Sequence, residues 1–472
     1  MASKCNKSFA KSYLLLKPEE ATLLDLVRIL FSPNIGHRKC LESHSPETTV
    51  ERSFNRRFLI VFSIAVQKFL MAISKPLAFI GSCIEMFINI LCLNGGLFTT
   101  LIRALTGKLV IPDRKSSMFL SFIGNLDYRT RLGAIKRQDC RYYVYLAMMA
   151  SKVSYENQAF LQDHVTNNWE MEYVGFYDCW NDYQEKSTTQ VLIFLEKHED
   201  GDTYVVSFRG TEPFDADAWS TDVDLSWYEI PGVGKMHAGF MKALGLQKNL
   251  GWPKEEESDD DHHPPFAYYV VRDILRKALS ENEKTKFIVT GHSLGGALAI
   301  LFPTIMFMHD ERLLIERLQG IYTFGQPRVG DEAYAEFMRA KFKENSVSYC
   351  RFVYCNDIVP RLPWDDHNFM FFKHFGVCLF FNRRYQLQIL EEEPNKNYFS
   401  VWYVIPMMFN AILEIIRSFR IAHIHGPGFR EGWLCFIFRL IGILIPGVPA
   451  HCPQDYVNST LLGSIEKHFK AD

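Results

Sequence analysis

One short segment has residue types and spacing that could do chemistry: Gly291-His292-Ser293-Leu294-Gly295-Gly296. The apolar run at 287–290 ahead of it predicts a short strand, and the run at 295–308 behind it predicts a buried helix. On a tight strand–turn–helix bend, a serine is lifted above the sheet edge. Glycines on either side remove side chains that would clash in the bend. The helix N-terminus beneath the serine helps to hold developing negative charge. The chemistry this predicts is attack by the Ser293 hydroxyl on a carbonyl carbon.

A serine hydroxyl is a weak nucleophile at neutral pH. It needs a general base, and the base needs an orienting carboxylate. On α/β sheets with this turn the chain order is serine, acid, histidine. The acid candidates downstream are Asp310, Asp331, Asp357, Asp365 and Asp366, besides several Glu. Asp310 closes the helix after the serine and is too near in sequence to arch back, and Asp331 reads as a helix cap. Asp357 directly follows the strand expected at 349–354, on the sheet end where open α/β folds build their sites, and is the expected acid. Among the histidines, His374 lies 17 residues beyond Asp357 and His451 lies in a Gly/Pro-rich loop. Spacing alone does not separate them. His423 and His425 read as surface residues. Two backbone N–H groups should hold the oxyanion. Leu294, just after the nucleophile, is one expected source. Thr211, in the turn after the strand expected at 203–208, is the other.

The elements that must position these groups follow from periodicity. Runs at 189–195 and 203–208, joined by Asp200-Gly201-Asp202, predict a hairpin. Residues 266–279 show an amphipathic helical pattern, 320–324 and 349–354 read as strands, and 142–181 reads as helical throughout. A short helix is expected at 19–31. Strands alternating with helices predict an α/β fold with a mostly parallel central sheet.

Ahead of this region lies an apolar tract at 58–105, in which Lys68, Lys75, Glu85 and Arg103 are the charged residues. Its cleanest window, 86–102, is marginal for a bilayer span and is broken by Asn94-Gly95-Gly96. Two apolar arms entering a lipid surface from one side are the other reading. Two further apolar patches, 401–419 and 433–448, fall between Asp357 and His451, as extra core helices or as a second lipid-contacting surface.

The chain has 472 residues, 48% hydrophobic and 22% charged, with a net charge of -2. That balance disfavours a general nucleic-acid binder and excludes global disorder. Its 38 phenylalanines hint at contact with something oily. Eleven scattered cysteines with no CxxC pair argue against a zinc site or a disulfide framework and fit a reducing, intracellular setting. Residues 1–16 hold no sustained apolar stretch before their charges, so a cleaved secretory signal is not expected. The acidic run at 255–261, followed by His262 and His263, reads as a solvated loop rather than a metal site.

Several ordered blocks together resemble the class 3 lipases, the fungal triacylglycerol-lipase type of α/β-hydrolase. They are Val206-Ser207-Phe208-Arg209-Gly210-Thr211, His237-Ala238-Gly239-Phe240, the 290–299 block TGHSLGGALA, the 323–330 block TFGQPRVG, and Asn356-Asp357-Ile358-Val359-Pro360. With the apolar tract, the chain is most similar to the plant oil-body lipases. The resemblance implies hydrolysis of acylglycerol esters at a lipid-droplet surface, or at the endoplasmic reticulum membrane. It implies His451, ahead of Tyr456, as the base rather than His374, and a lid over 212–225. The interval from Asp357 to His451 is longer than in the compact fungal enzymes.

The expected organisation is a polar segment over 1–57, a lipid-associating region over 58–105, and an α/β-hydrolase domain over 106–472, starting near 125, with an apolar insertion near 400–449. The expected site is Ser293, Asp357 and His451 with Thr211 and Leu294, using no cofactor and no metal. The motifs leave the ester open: a phospholipase A1 or galactolipase would carry the same triad. A binding scaffold without catalysis would be expected to have lost a triad or oxyanion position, and all of these are available.

Overall fold

The computed structural model describes residues 8–32, 38–44, 53–133, 135–247, 250–256, 264–363, 372–395 and 401–465. Its strands in chain order are β1 (Ser12–Leu16), β2 (Leu41–His44), β3 (Glu172–Asn181), β4 (Lys186–Glu196), β5 (Thr203–Phe208), β6 (Trp227–Ile230), β7 (Gly234–His237), β8 (Lys286–His292), β9 (Leu318–Phe324), β10 (Ser348–Tyr354), β11 (Val377–Phe381) and β12 (Leu387–Leu390). Eight strands form one sheet in the order β12-β11-β10-β9-β8-β5-β4-β3. From β11 to β5 each neighbouring pair is parallel. The outer strands β12, β4 and β3 are antiparallel. This is the mostly parallel α/β-hydrolase sheet expected from the alternation of strands and helices. Strands β8 and β9 are covered on both faces and so read as continuous apolar runs. The helix Leu294–His309 behind β8 is buried along nearly its whole length.

The helix expected through 181 stops early. The structure has helices Tyr142–Val153 and Gln158–Asp163, a π-helical turn at His164–Asn168, and then strand β3. Tyr173, Phe176, Tyr177 and Trp180 favour extended backbone, and β4 supplies the antiparallel partner. A second, four-stranded sheet, β2-β1-β6-β7, was not legible. In it the N-terminal β1 pairs with β6, Leu14 opposite Trp227.

The apolar tract is one 40-residue helix, Phe54–Leu93, passing through Pro76, then a turn at Asn94-Gly95-Gly96 and a short helix, Leu97–Leu105. Among the described residues, Phe54–Leu93 is the helix long and apolar enough to cross a membrane. The turn splits the 86–102 window. The long helix buries a mixed face, Ile60, Ile64 and Ile88 together with polar side chains, and leaves an apolar face exposed. Arg57, Ser63, Gln67 and Asn89 face the protein, while Phe58, Phe69, Phe79 and Phe87 face outward. Ser63 Oγ donates to the Val223 carbonyl at 2.7 Å, and Asn89 Nδ2 donates to the Leu120 carbonyl at 2.8 Å. The polar side chains are therefore used as adhesive and the phenylalanines are left outside.

The insertion repeats this arrangement. Helices Val401–His425 and Trp433–Leu444 expose Trp402, Ile405, Phe409, Phe419 and Leu444. Their inner faces carry a buried ion network. Arg439 bonds Glu431 at 2.6 Å and Asp455 at 3.1 Å, and Arg417 bonds Asp455 at 2.8 Å. Removing one member leaves an uncompensated buried charge. Arg439→Ala is therefore expected to cost about 3–5 kcal/mol. It should lower the thermal unfolding midpoint in mild detergent, while Arg430→Ala, at an exposed position, should leave that midpoint unmoved.

Candidate active site

Ser293 sits at the turn between β8 and the helix Leu294–His309, with φ 60° and ψ -134°. That conformation is costly for a residue with a side chain. The bend brings backbone so close that a Cβ on Gly295 would lie 2.1 Å from the Phe208 carbonyl oxygen. The Ser293 N–H donates to the Phe324 carbonyl at 2.9 Å, which ties the turn to the end of β9.

Asp357 follows β10, and its Oδ2 accepts a hydrogen bond from His451 Nδ1 at 2.8 Å. Its other oxygen accepts the Val359 N–H at 2.9 Å. Tyr456, on the helix Pro453–Leu462, donates its hydroxyl to the same Oδ2 that His451 uses. Gly325 lies directly against this pair with φ +59°, and a Cβ there would stand 2.9 Å from both Asp357 Oδ2 and His451 Cε1. With Nδ1 donating to Asp357, the His451 ring presents the lone pair of Nε2. That atom and Ser293 Oγ are both buried, and neither has a hydrogen-bond partner in this state.

His451 is also held through its backbone. His292, the residue before the serine, bonds the His451 carbonyl through Nε2 at 2.9 Å, and the two rings stack with centroids 4.4 Å apart. His292 Nδ1 meets the Tyr155 hydroxyl at 2.9 Å. Burial and, next, the neighbouring His451 push the His292 pKa well down. A neutral ring must donate from one nitrogen and accept on the other. Nε2–H therefore donates to the carbonyl and Nδ1 accepts from Tyr155.

Thr211 stands three residues beyond Phe208, which lies opposite Gly291 in the β5–β8 ladder. It is buried, and its Oγ1 has no partner. Leu294 opens the helix behind the serine. Gly210, next to Thr211, lies against the turn: a Cβ there would stand 3.0 Å from the Ser293 Cβ. His374 is elsewhere. It bonds the Pro360 carbonyl through Nε2 at 2.7 Å and lies 4.0 Å from Glu393, whose carboxylate also pairs with Arg351. Asp331 caps the helix Glu332–Glu344, and Asp310 pairs with Arg312. Asp365, Asp366, His367, His468, His262 and His263 lie outside the described residues.

The expected lid contains the helix Ala216–Val223, capped by Asp215. Trp219 approaches the His451 ring edge-on, at 6.0 Å between centroids. In this arrangement Ser293 is 1% exposed and His451 8%. Phe214 packs onto Gly81 of the long helix, and Gln67 reaches Asp224 at 3.4 Å. His237 of the HAGF block caps the helix Ala238–Leu244 and bonds the Asp224 carbonyl at 2.7 Å, so this motif ties down the end of the lid.

Sequence reasoning missed His292, Tyr155, Gly325 and Tyr456 as parts of the site. His292 and Gly325 lay inside blocks that had been noticed. Their partners lie far off in sequence, at Tyr155 and in the segment after 451. Also missed was Asp222 on the lid helix, fully buried with neither carboxyl oxygen partnered.

A model of the family described as Lipase (class 3) matches residues 205–367. The triacylglycerol lipase OBL1 of Arabidopsis thaliana is 41% identical over 501 aligned residues, covering 98% of this chain and 96% of that protein. The triacylglycerol lipase OBL1 of Ricinus communis is 33% identical, covering 97% and 96%. Among solved structures, the native Rhizomucor miehei lipase propeptide complex is 22% identical with a TM-score of 0.38, covering 52% of this chain and 70% of that one.

Burial raises the Asp222 carboxyl to about 8 from 3.8. Below pH ~4 the folded and unfolded chains both keep this proton. As pH rises, the unfolded chain releases it first, so stability falls until the folded carboxyl also ionises near 8. Asp222→Asn is expected to shrink the loss of stability between pH 5 and pH 8, read as unfolding midpoints at both. A second expectation concerns Gly325→Ala: ester hydrolysis should drop by roughly a hundredfold or more, since a 1 Å misplacement of catalytic groups has that effect.

Proposed function

The chain belongs to the class 3 lipases, and from that premise we propose that it hydrolyses triacylglycerol at the surface of a lipid droplet through Ser293, His451 and Asp357. The single observation that carries the site assignment is the Asp357–His451 hydrogen bond next to a serine held at φ 60°. Its near full-length relatives named triacylglycerol lipase support the choice of ester.

In the proposed reaction the Ser293 Oγ attacks the ester carbonyl carbon while its proton passes to His451 Nε2. Asp357 holds Nδ1–H and stabilises the imidazolium. The N–H groups of Leu294 and Thr211 receive the oxyanion, at about 3 kcal/mol per donor in comparable sites. His451 then gives the proton to the departing glycerol oxygen. Water, deprotonated by His451, attacks the acyl-serine, and the fatty acid leaves.

The lid must move for an ester to reach Ser293. The lid is clasped by the inner face of the helix Phe54–Leu93, and the outer face of that helix is apolar. In this reading, lipid contact on the outer face and lid opening are linked through one helix. The apolar tract serves as anchor, and 106–472 as the hydrolase domain.

Ser293→Ala is expected to lower fatty-acid release from triolein emulsion by three orders of magnitude or more, roughly what loss of a triad serine costs, with an unchanged unfolding midpoint. Phosphatidylcholine vesicles run in parallel test the ester. Faster Ser293-dependent release from vesicles than from triolein would move the substrate to phospholipid. Replacing Phe58, Phe69, Phe79 and Phe87 together with Asn is expected to cut recovery with floated lipid droplets at least tenfold, given ~1.5–3 kcal/mol for each apolar side chain removed from water.

A further inference from the structure

At the foot of the insertion, the turn between β11 and β12 faces the C-terminal half of the helix Val401–His425 across a cavity of about 410 Å³. Arg383, Arg384, Arg417 and Arg420 line it, together with His425, and among the described residues no carboxylate does. The four guanidiniums are not equivalent. Arg417 already pairs with the buried Asp455. Arg383 donates to the neutral Asn410 at 2.6 Å, and Arg384 and Arg420 are exposed. Among the described residues, Arg383, Arg384 and Arg420 therefore line one cavity with no carboxylate paired to them. The remaining wall is apolar, with Leu413, Ile416 and Ile424. Ile416 and Ile424 also belong to the exposed outer face that carries Phe409 and Phe419.

We propose that this cavity binds the phosphate headgroup of an anionic phospholipid and seats the insertion on the lipid surface. The inference rests on the reading of the chain as an enzyme that works at such a surface, and it names a second lipid contact away from the nucleophile. The charge is complementary to a phosphate, which guanidiniums recognise by paired N–H donors. The apolar wall runs without a break into the face offered to acyl chains. Cationic side chains at the rim of an apolar face are the arrangement of helices that lie in a lipid interface. A soluble phosphate compound would use the three arginines and leave the Ile416 and Ile424 wall in water.

The full chain, purified in mild detergent, is floated with phosphatidylcholine vesicles and with the same vesicles containing phosphatidic acid, in low and high salt. Arg383→Gln/Arg384→Gln/Arg420→Gln is run beside it. Three surface arginines correspond to roughly a hundredfold preference for anionic vesicles in low salt. The wild type is expected to show at least a tenfold preference. The triple variant is expected to lose it, with binding to neutral vesicles and hydrolysis of a dispersed short-chain p-nitrophenyl ester both unchanged. Equal flotation of the wild type with both vesicles would overturn the headgroup site and leave the lipid-surface reading standing. Flotation with neither would remove both. A preference that survives in the triple variant places the anion elsewhere and overturns the assignment. Inorganic phosphate gives a third arm: protection against thermal unfolding that is lost in the variant, without any vesicle preference, would reassign the cavity to a soluble phosphate. If the triple variant does not fold, Arg420→Glu alone, at an exposed position, is expected to cut the preference roughly tenfold or more.

Discussion

The bond between His451 and Asp357 is the constraint on which the rest of the structure turns. Its two partners are 94 residues apart. Between them the chain adds β11 and β12 to the sheet, builds two helices with charged inner faces and apolar outer faces, and returns. The return is secured twice, by Asp357 on the ring and by His292 on the carbonyl. His292 belongs to the turn that carries Ser293, so the strand end of the proposed nucleophile fixes the backbone of the proposed base. A neutral His292 suits this role. A charged ring would have no acceptor for the Tyr155 hydroxyl and would sit against the ring proposed to gain a proton during turnover.

The same constraint explains why so much charge is buried under so apolar a surface. The helix Pro453–Leu462 follows His451 directly and carries both Tyr456 and Asp455. Tyr456 holds Asp357, while Asp455 anchors Arg417 and Arg439 of the insertion helices. An ion network of this kind adds little net stability over a well-packed apolar core, but it is intolerant of rearrangement because any lone member is a buried unpaired charge. It therefore sets the insertion in one orientation. The insertion also reaches the helix Phe54–Leu93. The two regions meet around the lid in one apolar cluster that includes Ile88, Phe214, Leu434 and Cys452.

Several elements were legible because their signal is local. The turn at Ser293 has glycines at fixed offsets and an apolar run on each side, and each of these has a steric or burial cause within a dozen residues. The strands β5, β8, β9 and β10 read correctly because parallel strands covered on both faces are continuous apolar runs. Strand β3 did not, because its aromatic residues can satisfy either period, and only the neighbouring β4 decides for the extended form. The sheet containing β1 was invisible because Leu14 and Trp227 are more than two hundred residues apart.

Residue types and spacing by themselves pointed to Ser293 as the proposed nucleophile, to the parallel sheet beneath it, to Asp357 after β10 as the proposed acid, and to two apolar regions, one ahead of the expected hydrolase domain and one inserted in it. These are properties of short segments, set by sterics and by burial period. Spacing did not decide which histidine meets Asp357: the resemblance to class 3 lipases implied His451, and packing brings it there while sending His374 into an unrelated ion cluster. The tertiary structure alone decided which way the apolar helices face. A helix with both polar and apolar stripes can bury either one, and the choice depends on partners such as Val223, Asp224 and Asp455 that lie far away along the chain.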